Sequence, residues 1–120
     1  MLENCEHLIE ACAALAGRLL AGADRLQILT TSTEPLGVPG EVVWPVPPLA
    51  VPGPATAAPQ EDLEGVASVR LFVERATAAL LTFRLTPANG RAVALLCRAL
   101  DGIPLALELA AARLKMLTVE

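Results

Sequence analysis

Cys5, His7, Cys12 and Cys97 are the side chains of this sequence best suited to hold a metal or attack a substrate. Cys5 and Cys12 lie seven apart on one helical stretch, with His7 two residues from Cys5, so the spacing admits a metal site. Cysteines at such positions serve far more often as small apolar core residues, and the apolar stripe around Cys12 favours that role. An odd number of cysteines without a framework suits a reducing cytoplasm. The rest of the catalytic inventory is thin. His7 is the only histidine, and no Ser/His/Asp, Cys/His or paired-carboxylate constellation is visible, so general acid–base chemistry has little to work with. No G-x-x-x-x-G-K-[ST] phosphate loop occurs in the sequence.

Composition narrows the classes. A chain of 120 residues fits one ordinary domain with a modest core. It is 54% hydrophobic but only 2% aromatic, so aliphatic side chains and alanine must fill that core. A net charge of −4 without a basic run argues against a nucleic-acid surface, because neutralising phosphate needs clustered Lys and Arg. The N-terminus is acidic and lacks the charged and apolar regions of a signal peptide. No window is apolar for long enough to span a bilayer.

The elements that must position any site follow from periodicity. Leu8, Cys12, Leu15 and Leu19 recur at helical spacing and predict a helix over 5–21, with Asn4 as N-cap and Gly22 as its stop. Leu26 to Ser32 reads as a short strand ending at Glu34-Pro35. Met1-Leu2-Glu3 reads as the end of an earlier, parallel strand. Residues 33–60 are crowded with proline and glycine, which excludes a central strand. Val42-Val43-Trp44 is at most a brief extended piece, with Trp44 a candidate anchor on the core or a stacking ring. Pro-rich recognition by a partner is the functional reading of this stretch; a stiff connector is the plainer one. Val66, Val69, Phe72, Val73, Ala76 and Leu80 predict a helix over 64–80. Thr86 and Pro87 open another that runs to Leu100 and breaks at Asp101-Gly102. Pro104 starts a last helix to about Met116, apolar almost all round and therefore expected to be buried.

Taken in order, the run Glu3 to Leu8, the run Thr30-Thr31-Ser32-Thr33-Glu34-Pro35-Leu36-Gly37, the Val69-Arg70-Leu71-Phe72 helix and the run Leu100 to Ala111 resemble a known family. They are similar to the bacterial NB-ARC-like signal-transduction ATPases with numerous domains, found in LuxR-type and SARP-type transcription regulators. The resemblance covers nearly the whole chain, from a Walker B strand to just past a Gly-x-Pro-Leu motif. It implies an α/β fold, mainly helical: a partial parallel sheet remnant of a P-loop ATPase domain, followed by a small helical subdomain. The implied divisions are 1–49, the far half of the nucleotide domain, 50–63, a Pro-rich connector, and 64–120, the helical subdomain.

The resemblance also implies roles. Glu3 matches the Walker B acid that supports Mg²⁺, where the family carries Asp. Thr33 stands where the family carries a sensor Arg. Gly102 and Pro104 match the turn that packs against adenine. Read from the residues alone, Glu3 is a solvated carboxylate, Thr33 a turn residue, and Gly102 and Pro104 ordinary helix-start chemistry. Met1 falls inside a strand motif, so the expectation is an N-terminally incomplete module of a regulator. It would bind adenine nucleotide weakly at most and hydrolyse none by itself. ATP or ADP with Mg²⁺ belongs to the complete parent, with no cofactor expected for this chain alone. Expected partners are the missing P-loop half, a full-length relative or a second copy, with no direct nucleic acid and no membrane. The alternative is a helical protein–protein interaction module.

Overall fold

The computed structural model describes residues 1–54 and 60–117. The chain forms two compact units, Met1–Pro45 and Val46–Glu120.

The first unit is built on a single 3-10 turn, Cys5–His7, running into helix α1, Ile9–Gly22. The expected parallel sheet remnant is not there. Among the described residues no strand forms; Leu2 and Thr30 make one isolated parallel bridge. Leu2 N–H donates to the Leu29 carbonyl at 2.9 Å and Thr31 N–H donates back to the Leu2 carbonyl at 2.9 Å. Asn4 then enters the left-handed region at φ 53° and ends the extension. The reason is local. A parallel pairing is weak residue for residue and survives where both faces are covered. Leu29 is 66% exposed, so the segment predicted as a strand over 26–32 has no cover to stabilise it. Asn4 caps no helix with its side chain; its N–H instead donates to Thr31 Oγ1 at 3.0 Å.

A second tie in this unit is made by Glu41. Its carboxylate accepts the consecutive N–H groups of Leu36 and Gly37 at 2.9 and 2.8 Å. The turn between them is reached through positive φ at Gly37 and Gly40. Trp44 is not an anchor on a core: it is 82% exposed.

The second unit is helical: α2 Gln60–Glu64, α3 Ala67–Ala79, α4 Pro87–Ala99, α5 Pro104–Ala112 and α6 Leu114–Leu117. Its core joins Leu63, Val69, Phe72, Ala76, Leu85, Val93, Cys97, Leu107 and Ala111. Val69, Phe72 and Ala76 form the inner stripe of α3, as helical periodicity requires. Phe83 meets Phe72 edge-on, 6.0 Å between ring centres at 86°, and so closes the α3–α4 loop on that stripe. Helix α5 lies along α3 through Leu107 and Ala111, and the Arg75 Nε to Glu108 Oε1 pair at 3.1 Å crosses the same seam in solvent. That exposed pair is worth about 0–1 kcal/mol.

The last helix departs from expectation in two ways. It ends at Ala112, where Arg113 N–H turns back to the Ala110 carbonyl at 3.2 Å. It is also buried on one face only, since Leu105 and Leu109 stand 65% and 60% exposed. A helix rich in alanine and leucine carries apolar residues wherever they fall, and only those facing α3 find partners.

Helix α4 is started as predicted by Thr86 and Pro87. Asn89 does most of the capping. Its Oδ1 accepts Thr86 N–H at 2.8 Å and its Nδ2 donates to the Arg84 carbonyl at 2.8 Å. Asn89→Ala is expected to cost about 1–2 kcal/mol, read as a lower midpoint in urea with an unchanged slope.

Candidate functional site

The residues that could carry function by resemblance divide between the units, Glu3 and Thr33 in the first, Gly102 and Pro104 in the second. Glu3 and Thr33 are both exposed and both follow the Leu2–Thr30 bridge, so they leave it at the same end. Thr33 sits inside a small turn in which Ser32 Oγ accepts Glu34 N–H at 3.4 Å. Glu3 brings one exposed carboxylate and Thr33 one hydroxyl to this end, whereas the near-octahedral oxygen geometry of Mg²⁺ calls for further ligands. Among the described residues no three His, Cys, Asp or Glu side chains converge as a metal site.

Gly102 has a different and well-defined task. Helix α4 ends in a Schellman turn. Asp101, at φ 52°, donates its N–H to the Arg98 carbonyl at 3.0 Å, and Gly102 N–H reaches the Cys97 carbonyl at 3.2 Å. Gly102 itself has φ 67°, and a Cβ built there would collide with the Leu49 carbonyl oxygen. The close approach that a Gly-x-Pro turn permits is therefore used by the chain's own backbone.

Leu49 belongs to an extended strap, residues 49–53, laid over the helical unit. Leu49 N–H donates to the Gly102 carbonyl at 2.9 Å, and its side chain packs on the core. Ser68 N–H, at the start of α3, donates to the Ala50 carbonyl at 3.1 Å. Arg98 Nη1, at the end of α4, donates to the Gly53 carbonyl at 2.9 Å. Pro52 is buried. Two helices, α3 and α4, and the turn at Gly102 thus hold one strap through its backbone. Sequence reasoning found Gly102 but not its partner; the only hint was an apolar residue, Leu49, standing between prolines.

Pro104 is exposed as the first residue of α5, where its missing N–H costs nothing. With Ile103 and Leu105, both exposed, it forms an apolar corner beside the clasp. Inside the unit, Cys97 is fully buried. Burial holds its thiol above the ordinary range, and the hydroxyl of Ser68 works against that shift.

Of the connector expected over 50–63, residues 55–59 lie outside the described residues. Among the described residues no helix is long and apolar enough to cross a membrane.

No family model matches the chain, and no solved structure matches it. Curated proteins do. The chain is 42% identical over 118 residues to a Mycobacterium bovis protein provisionally named an HTH-type transcriptional regulator, covering 98% of this chain but 12% of the relative. A Mycobacterium tuberculosis regulator of the same provisional name matches to the same extent. A further M. tuberculosis protein, whose name assigns no function, is 44% identical over 113 residues, covering 94% of this chain and 25% of its own length. The chain therefore spans between an eighth and a quarter of the relatives it matches.

These relatives correct one expectation. A net charge of −4 argues against a nucleic-acid partner, yet two of these relatives carry the name of an HTH-type transcriptional regulator, which suggests nucleic-acid binding. Net charge is an average over a chain, and a segment covering 12% of a regulator says little about the charge of the whole.

Proposed function

We propose that this chain is a regulatory module of an HTH-type transcriptional regulator, acting in the cytoplasm with DNA as a partner of the regulator it serves. The observation that supports this most is similarity along 98% of the chain to a far longer regulator. The geometry adds a role within it. The linker leaving the first unit feeds directly into the strap, and the strap is clasped at the α4–α5 corner by Gly102. The module is a joint: a pull on the linker is felt at α3, at α4 and at the Gly102 turn through three hydrogen bonds to the strap. Among the described residues no group is placed to activate water or to grip phosphate.

Adenine nucleotide, in this reading, meets only the exposed Ile103-Pro104-Leu105 corner. Purified chain is expected to release no phosphate from ATP and to bind ADP on the order of millimolar or more weakly. Hydrolysis that disappears in Glu3→Ala would sink the non-hydrolytic part of the proposal.

The regulatory part is tested by transcript profiling of cells deleted for the chain. A restricted set of genes is expected to change and to recover on re-expression of the wild type. An unchanged profile overturns the reading.

A further inference from the structure

The run Trp44-Pro45-Val46-Pro47-Pro48 is stiff for covalent reasons. Each proline fixes its own φ at about −65° and turns the residue before it away from helix, so Trp44, Val46 and Pro47 are held extended as well. The structure agrees: no helix, bridge or turn occurs from 41 to 53. No backbone group from Val42 to Pro48, nor the Trp44 indole N–H, bonds to another described residue. The run is nevertheless tied at both ends. Glu41 holds the turn at Leu36 and Gly37 just before it, and Leu49 N–H is bound to the Gly102 carbonyl just after it.

Such a run displays its side chains. Trp44 is 82% and Val46 87% exposed, and Pro45, Pro47 and Pro48 are exposed as well. A polyproline II helix has about three residues per turn. Trp44 and Pro47 therefore share one edge, Pro45 and Pro48 the next, and Val46 falls on the third. Two adjacent edges make a ridge of three proline rings and one indole, with free carbonyls along it as acceptors.

The chemistry of the ridge selects its partner. From Val42 to Gln60 the chain carries no charge, so recognition rests on stacking and on donors to the carbonyls. Flat proline and indole faces are matched by tyrosine and tryptophan, whose O–H and N–H supply those donors. A second copy of this chain cannot provide them. It has no tyrosine, its one tryptophan belongs to the ridge, and its two phenylalanines pack on each other in the helical unit. An anionic membrane is not favoured either, because no Lys or Arg stands between Arg25 and Arg70.

We propose that Trp44–Pro48 is a docking segment for a different protein that carries a groove lined by tyrosine and tryptophan. The ordering cost of binding is small because the run is already extended and tied.

The test is the full chain with p-benzoylphenylalanine in place of Val46, irradiated in the cells that make it. The expected product joins position 46 to another protein at a surface lined by tyrosine and tryptophan. That protein, purified, is expected to bind the wild-type chain and to lose at least about tenfold in affinity to Trp44→Ala and to the double variant Pro45→Ala/Pro48→Ala. Val43→Ala, on the edge that carries Val46, is expected to change the affinity by less than about twofold. All four residues are exposed, so these variants keep the fold. The absence of a light-dependent product overturns the proposal. So do crosslinks only to lipid or to a second copy, and a partner whose affinity ignores Trp44 and the prolines.

Discussion

Gly102→Val is expected to cost the helical unit about 3–5 kcal/mol. Two causes add. The backbone at φ 67° is a conformation that a β-branched side chain adopts only under strain, and the new side chain meets the Leu49 carbonyl, a backbone atom that cannot rotate away. The strap must lift, and its hydrogen bonds at Leu49, Ala50 and Gly53 go with it. The control is Gly40→Ala in the first unit. Gly40 has φ 82° but open space around its missing Cβ, so only the dihedral strain of about 1–2 kcal/mol applies. Urea titration of both variants, with amide exchange of Leu49 as the local probe, separates collision from strain. Equal costs at the two glycines would mean that the Leu49 approach contributes nothing.

Leu107→Ala is expected to cost about 2–5 kcal/mol, through lost burial and the cavity left between α5 and α3. Leu107 is 0% exposed and belongs to the core that joins α3, α4 and α5. Its near neighbour Leu109 is 60% exposed, and Leu109→Ala should change stability by less than about 0.5 kcal/mol. The pair distinguishes a helix held by one stripe from one buried all round, the expectation its composition creates. Thermal or urea melts of the two variants decide between them, and comparable losses at both positions would restore the fully buried helix.

What could be read from the residues follows from how local each signal is. The α3 stripe was legible because Val69, Phe72 and Ala76 obey one period, and the start of α4 because Thr86 and Pro87 are adjacent. The strand over 26–32 was misread because β-branched residues report suitability for a pleated surface and not the presence of a neighbour to pair with. Leu2 and Thr30 do meet, but one bridge is all they make. The strap could not be seen at all. Leu49 and Gly102 lie far apart in sequence and meet through backbone atoms, which leave no mark on side-chain identity beyond the glycine itself. The same holds for Glu41, whose carboxylate is spent on the Leu36 and Gly37 N–H groups rather than on a partner. Cys5 and Cys12 were visible as a spacing, while the bend at Leu8 between them was not.

The central claim, that this chain serves a DNA-binding regulator, is tested most directly by crosslinking in the cells that make it. A tagged copy of the full chain is recovered with its DNA, and the DNA is sequenced. The account predicts enrichment at a limited number of promoter segments, weakened when Gly102→Val opens the clasp. Recovery of DNA at the level of an untagged control, with no discrete peaks, would contradict it.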